Sequence, residues 1–191
     1  MTFAEQQMRC PWCGTDPLYV SYHDVEWGRP ERDPRRLFEL LILESFQAGL
    51  AWITILRKRE GFRAAFQGFD PGVLATWGEP EVQRLLADPG IVRHRGKIEG
   101  TLRGAQAFLR IEAAQGFSPF LWSFVKGQPL QPRPKAMCDV PGHSPESVAL
   151  SKALKREGFN FVGPTITYAF MQAAGLVNDH LISCLARESQ T

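Results

Sequence analysis

One carboxylate sits where apolar side chains are expected. Leu37, Leu40, Leu41, Glu44 and Ala48 recur at spacings of three and four, so a helix here would place Glu44 on the same face as leucines. Burying an unpaired carboxylate is costly, and such a group either finds a partner or keeps its proton. Two readings stay open: a Glu tied to an arginine or to backbone amides, or a carboxylate in an apolar pocket that receives a polar or cationic ligand. Trp12, Tyr19, Tyr22, Trp27 and Trp52 crowd the first third of the chain, and Trp52 follows Glu44 by eight positions. An indole stacks on a planar base and attracts a cationic one through the negative face of its ring. The plainer reading is that these rings belong to the core.

A second constellation suits a metal. His180 and Cys184 are four apart in a segment read as helical, which would point them the same way, and Cys10, Cys13 and His23 lie near the other end. Two soft ligands from each end suit tetrahedral zinc, and four protein ligands would make the site structural. Spacing leaves five candidates for four places. Cys10, His23, His180 and Cys184 form one set; Cys10, Cys13, His180 and Cys184 form another; unrelated thiols and imidazoles are the third possibility.

Between Lys155 and Thr165 two helical patterns meet at Gly158-Phe159-Asn160-Phe161-Val162-Gly163. A turn of this kind aims backbone amides outward next to a helix N-terminus, which suits a phosphate oxygen. Three basic clusters, Arg57-Lys58-Arg59, Arg93 to Lys97 and Lys152 to Arg156, would hold phosphates if folding gathers them on one face; otherwise they are solvated patches.

Helices must position these groups. Leu18 to Tyr22 is the only alternating, strand-like run, and helical periodicity dominates elsewhere. Asp33-Pro34 opens a helix running toward Ala48, with Gly49 as its break. Further helices are expected from about Ala51 to Arg59, after Asp70-Pro71, after Glu79-Pro80, over Gly96 to Ala114, after Ser118-Pro119, from Ser144-Pro145 to Arg156, over Thr165 to Ala174, and from Asn178. The proline-rich stretch 127–145 reads as a long loop. The sum is an all-α fold of about nine short helices.

The chain has 191 residues, 44% of them hydrophobic and 22% charged, with a net charge of +2. That suits one globular domain and, by itself, announces no nucleic-acid binder. No apolar stretch is long enough to span a bilayer, and the first residues lack the pattern of a secretory signal. A cytoplasmic protein is expected, its four cysteines reduced.

Ordered segments along the chain carry a specific resemblance. They include Asp16-Pro17-Leu18-Tyr19, Tyr22-His23-Asp24, Glu26-Trp27-Gly28, Leu43-Glu44, Gln47-Ala48-Gly49-Leu50, Trp52-Ile53-Thr54, Arg93-His94-Arg95-Gly96-Lys97-Ile98, Leu121-Trp122-Ser123-Phe124-Val125, Phe161-Val162-Gly163 and Gly175-Leu176-Val177-Asn178-Asp179-His180. From about Arg9 to Cys184 the chain resembles the 3-methyladenine DNA glycosylase I family of helix-hairpin-helix glycosylases.

The resemblance implies a helix-hairpin-helix glycosylase fold with its termini joined by one structural Zn2+ on Cys10, His23, His180 and Cys184, Cys13 being spare. It implies a single glycosylase domain of two helical lobes over 9–186, between tails 1–8 and 187–191. Glu44 would contact the methylated base, beside Tyr22 and Trp52, with Tyr19, Trp12 and Trp27 as further neighbours. Leu50, after Gly49, would fill the gap left in the duplex, and the hairpin with Phe161, Gly163 and Thr165 would hold DNA. The implied partner is double-stranded alkylated DNA, the product free 3-methyladenine, and the working form a monomer. Ser45-Phe46-Gln47 stand where family members carry Gly-Gln-Gln, and Phe46, two past Glu44, is expected to face elsewhere. Relatives with a catalytic aspartate place it near Asn178, and bifunctional relatives have a lysine just after the hairpin, where this chain has Pro164-Thr165-Ile166. Base excision without a Schiff base or strand cleavage is therefore implied. Rival readings are a damaged-DNA-binding module without catalysis and a zinc hydrolase acting on small molecules.

Overall fold

The computed structural model describes residues 8–187. Among them lie nine α-helices and three short 3-10 turns, with no strand. The helices are α1 (Pro17–Val25), α2 (Pro34–Gln47), α3 (Trp52–Ala65), α4 (Pro71–Leu74), α5 (Glu79–Ala87), α6 (Arg95–Gln115), α7 (Phe117–Ser123), α8 (Pro145–Glu157) and α9 (Pro164–Ala173). The all-helical expectation holds. Most of the expected tails, 1–8 and 187–191, fall outside the described residues. Met8 and Arg187 at their edges are tied in: Met8 N donates to Ser183 O, and the Arg187 guanidinium to Pro132 O.

Local chemistry explains the helix starts. Asp16 accepts from the Leu18 and Tyr19 amides, Asp33 from Arg36, Asp70 from Gly72 and Val73, and Ser144 from Ser147; each cap is followed by proline at the first helical position. The Asp16-Pro17 start overrides the alternation of Leu18 to Tyr22, so that run is helix α1 and not a strand. The long helix α6 starts at His94, whose Nδ1 accepts from Lys97 N. Helix α7 starts two residues earlier than Ser118-Pro119 suggests, because Glu112 Oε2 accepts the Phe117 amide.

The helix expected from Asn178 does not form. Arg187 donates to the carbonyls of His180 and Pro132, and Asn178 N donates to Leu130 O. These bonds commit the backbone to turns that an α-helix would exclude. The loop 127–145 is largely irregular, with one 3-10 turn at Met137–Asp139; Leu130 ties it down by pairing with Leu176 and Asn178.

Helix α2 is the centre of the fold. Leu37, Phe38, Leu41, Ile42, Leu43, Glu44, Ser45 and Phe46 are all buried, and the helix packs against α3, α6, α7 and α9. A helix buried nearly all round must lie inside the molecule. Truncating Leu41 in this core would cost about 2–5 kcal/mol. Helices α8 and α9 form a pair joined by the hairpin, with Gly158 in the left-handed conformation capping α8.

Candidate functional site

Helix α2 carries Glu44 into a cavity of about 120 Å³ lined by Tyr19, Tyr22, Trp27, Glu44, Gln47, Trp52, Ala169 and Gln172. The carboxylate is 3% exposed, and its Oε2 has no hydrogen-bond partner among the described residues. Neither alternative partner suggested by the sequence, arginine or backbone amide, is bonded to that oxygen. Burial pushes its carboxyl up to about 8, because nothing compensates the lost hydration of the charged form. Trp52 Nε1 is likewise buried and unpartnered. The cavity thus holds an unused acceptor and an unused donor among ring faces.

The rings come from two helices and from the turn after α1, which carries Trp27. Tyr19 and Tyr22 project from α1, and Trp52 opens α3 with its ring 5.5 Å from that of Tyr22. Burial, then the nearby Glu44, raise the Tyr22 phenol well above its ordinary value, so it stays protonated. Trp12 does not line the cavity; it stands behind the wall, edge-on to Tyr19 at 5.0 Å and to Trp27 at 4.9 Å. Phe46 faces away as expected, packed on Phe62 at 4.8 Å, and Ser45 Oγ donates to Ile42 O. Neither of the two residues that depart from the Gly-Gln-Gln pattern, Ser45 and Phe46, reaches the cavity, whereas Gln47, which keeps the pattern, lines it.

A larger cavity, about 210 Å³, lies beside Tyr22. It is lined by the ion pairs Arg59–Glu26, Arg63–Glu39 and Arg36–Glu31, so most of its charge is already compensated. The smaller cavity is the chemically unfinished one.

Gly49 breaks the chain after α2 with a φ of +85°, and Leu50 N donates back to Gln47 O. Glycine adopts that conformation without strain. Leu50 is left 41% exposed at the tip. At the other hairpin, Phe161 is also exposed, with a φ of +56° that costs a bulky residue strain. The Val162 carbonyl turns inward to accept from Ser151 Oγ and Thr167 Oγ1. Gly163 caps α9 and Thr165 lies in its first turn, where backbone amides lack intrahelical acceptors.

Cys10, His23, His180 and Cys184 meet behind the aromatic wall, all buried, with their ligand atoms within 4.8 Å of one another. Cys184 Sγ lies 3.4 Å from His23 Nε2 and 3.3 Å from His180 Nδ1, and Cys10 Sγ lies 3.7 Å from His180 Nδ1. Their outer faces are occupied. His23 Nδ1 meets Asp24 Oδ1 at 2.7 Å, His180 Nε2 meets Trp27 O at 3.1 Å, and Leu181 N donates to Cys10 Sγ. The bond from Cys10 pushes the Cys184 thiol down, and the same bond raises Cys10. Such a set could hold a metal ion. Cys13 stays outside it, its Sγ donating to Cys10 O. His180 and Cys184 are brought together by a turn and not by a shared helix face.

Two basic clusters do not form a free phosphate-binding face. Arg57 pairs with Asp16, Arg59 with Glu26, and Arg95 with Glu79 and Glu99; Lys58 donates to Pro89 O. Lys97 is buried and donates to Phe46 O and Ala48 O. These residues find carboxylates and helix-end carbonyls that their spacing in the sequence does not reveal. Lys152, Lys155 and Arg156 remain exposed.

The sequence reading missed Gln172 and Asp179. Gln172 lines the cavity, and its Nε2 donates to Asp179 Oδ2, which also accepts from Tyr168 Oη. Asp179 is buried with Oδ1 unpartnered. Neither stands in a periodic pattern that would signal this. Their pairing spans seven residues across the end of α9.

Comparison with known proteins follows this geometry. The family model described as methyladenine glycosylase matches residues 12–188. The chain is 52% identical over 177 residues to DNA-3-methyladenine glycosylase 1 of Escherichia coli K12, covering 92% of this chain and 95% of that protein. It is 46% identical to DNA-3-methyladenine glycosylase of Haemophilus influenzae, covering 95% and 98%. A solved structure of 3-methyladenine DNA glycosylase I from Staphylococcus aureus, concerned with 3-methyladenine recognition, superposes with a TM-score of 0.92 at 41% identity, covering 95% of this chain and 97% of that one. A family model over residues 12–188, together with relatives about half identical over nearly their whole length, leaves one assignment: the chain belongs to the methyladenine glycosylase family.

Proposed function

We propose that this protein excises 3-methyladenine from alkylated double-stranded DNA, receiving the extruded base in the cavity beside Glu44. The observation that carries the proposal is the buried, unpartnered Glu44 Oε2 facing a cavity walled by Tyr19, Tyr22, Trp27 and Trp52. The relatives named for this activity and a related enzyme solved with 3-methyladenine bound support it.

The chemistry fits the lesion. Methylation at N3 gives adenine a positive charge, so the bond to the sugar is already weakened. Departure of the base returns the bonding electrons to the ring and neutralises it, while water supplies the oxygen to C1′ and releases a proton. The enzyme must extract the nucleotide, hold it and admit water. In the cavity the buried Glu44 yields its proton to solvent when a cationic ring arrives, because the charge pair then replaces the hydration that burial removed. Tyr22 and Trp52 offer stacking faces, with Tyr19 and Trp27 closing the sides and Trp12 supporting both. Normal adenine brings no charge and gains less. Pro164-Thr165-Ile166 stand where bifunctional relatives carry a lysine, so the reading is hydrolysis without a Schiff base or strand cleavage.

Leu50 fills the vacated place in the duplex. The Gly163 and Thr165 amides, on either side of Pro164, which has no N–H, take a phosphate oxygen beside Phe161. A Cβ at Gly163 would meet nothing within 4 Å and its φ is ordinary. The backbone there is open to close approach by an outside group.

The four-residue cluster would hold Zn2+. Zinc bonds of about 2.3 Å to sulfur and 2.0–2.1 Å to nitrogen set tetrahedral S···N edges of ~3.5 Å, and three of the four S···N distances run from 3.3 to 3.7 Å. When bound, the ion supplies cross-linking of the chain ends and leaves no open coordination position. The carboxylate and carbonyl behind the two imidazoles orient them for that role. Residues 9–186 act as one glycosylase domain. A single chain holds both pocket and hairpin, so a monomer suffices, working in the cytoplasm where bacterial DNA is repaired; no helix among the described residues is long and apolar enough to cross a membrane.

The test is release of free 3-methyladenine from methylating-agent-treated duplex DNA. Release expected at stoichiometric enzyme supports the activity. DNA binding with no released base would leave a damage-binding module and overturn it.

A further inference from the structure

Two exposed apolar tips, Leu50 and Phe161, belong to distant parts of the chain, yet both are anchored on the first half of α6. On one face of α6, Gly96, Gly100 and Gly104 recur every four residues and receive the hairpin. A methyl group on Gly96 would stand 3.5 Å from Phe161 Cζ. One on Gly100 would stand 3.3 Å from Asn160 Cβ and 3.6 Å from Phe161 Cδ2, and one on Gly104 would stand 3.2 Å from Phe159. The His94 ring lies 5.8 Å from the Phe161 ring, and Arg103 Nε donates to Asn160 Oδ1 at 2.9 Å.

From the first turn of the same helix, Lys97 reaches the other way. Its ammonium donates to Phe46 O at 2.9 Å and Ala48 O at 2.8 Å, the carbonyls that end α2 just before Gly49-Leu50. It also lies 5.9 Å from the Phe161 ring centroid. A lysine that is 6% exposed and spends its donors on helix-end carbonyls is poorly placed to hold a phosphate.

We infer that Lys97 is a positioning residue: from α6 it holds the Leu50 turn at a set distance from the hairpin seated on Gly96, Gly100 and Gly104. The inference rests on the glycosylase reading and adds to it. Extrusion of a base requires the wedge to enter the duplex while the hairpin grips the backbone, so the separation of the two tips is part of the machinery. A shift of about 1 Å between them can cost on the order of a hundredfold in rate.

The experiment uses the full chain with Lys97→Met, which keeps the length of the side chain and removes its donors. Expected is a fall of at least about tenfold in single-turnover release of 3-methyladenine from methylated duplex DNA. The Kd for free 3-methyladenine should stay within about twofold, and the salt dependence of binding to undamaged duplex should keep its slope. A lysine contacting phosphate would instead make the slope shallower by about one. That result, or undiminished release by the folded variant, overturns the inference. Should Lys97→Met fail to fold, Gly100→Ala decides. Alanine is the better helix former, so the helix persists while the added methyl pushes Asn160 and Phe161. Slower release with unchanged free-base affinity supports the shared mounting, and unchanged release overturns it. Release by the unmodified protein tests the glycosylase reading separately.

Discussion

The Cys/His cluster and the Glu44 cavity are neighbours that bury polar groups in opposite ways. In the cluster, ligand atoms face one another and each imidazole's outer nitrogen meets an oxygen. In the cavity, Glu44 Oε2 and Trp52 Nε1 have no partner. The two share their walls: Tyr22 of the cavity precedes His23 of the cluster, and Trp27 lines the cavity while its carbonyl meets His180. Buried polarity that satisfies itself holds a shape. Buried polarity left open costs stability and persists where a ligand will complete it.

The largest expected effect comes from breaking the satisfied side. Cys184→Ser should abolish stoichiometric zinc and lower Tm by about 10 °C, since losing a buried ligand costs several kcal/mol. It should also weaken free 3-methyladenine binding, because Trp27 and Tyr22 lose their backing. One zinc per chain surviving in this variant would show the ligand set to be wrong.

Next is the open side. Glu44→Gln should slow base release by about a hundredfold, as removal of a charge-stabilising group does elsewhere. The same change should sharpen the contrast in stability. The Glu44 carboxyl rises from 4.5 to about 8 on folding. The folded protein therefore keeps a proton that the unfolded chain loses, and stability falls as pH rises from about 4.5 to about 8. By linkage this group alone takes away on the order of 3 kcal/mol at pH 7. Part returns in Glu44→Gln, whose buried amide is still unpartnered, so Tm at pH 8 should rise by about 2–4 °C. Thermal melts across this range that show equal pH dependence in both proteins would contradict the burial argument.

A smaller effect is expected at Trp52. Trp52→Phe keeps an aromatic wall and removes the orphan N–H; free-base affinity should fall threefold to tenfold, about 1 kcal/mol, with little loss of Tm. Affinity equal to wild type in titration calorimetry would leave Nε1 without a ligand role. The smallest is Cys13→Ala, which should retain one zinc per chain and shift Tm by no more than about 2 °C. Loss of metal there would restore the alternative set containing Cys13.

The helices were legible wherever Asp-Pro or Ser-Pro starts coincide with apolar periodicity, as at Asp33, Asp70 and Ser144. Glu44 was visible as a carboxylate on a leucine face, but its lack of a partner was not, since the cavity forms only when the rings from α1 and α3 close beside α2. The segment after Asn178 misled because its spacing suits a helix while the Arg187 side chain takes the Asn178 and His180 carbonyls. The basic run from Arg93 to Lys97 left two readings open, and contacts distant in sequence decided between them: Arg95 meets carboxylates and Lys97 points inward. Gln172 and Asp179 gave no signal, because a single amide and a single carboxylate carry no period.

By itself the sequence determined the helical class, the breaks at Gly49 and Gly158, and the types of group available for chemistry, since caps, glycine turns and apolar spacing act over a few residues. Tertiary structure decided which of five thiols and imidazoles converge, which charges are cancelled, and that Glu44 stands unpartnered among four rings. Those outcomes are set by contacts between residues far apart in the chain, and desolvation, which raises the Glu44 carboxyl, exists only once the helices have closed around it.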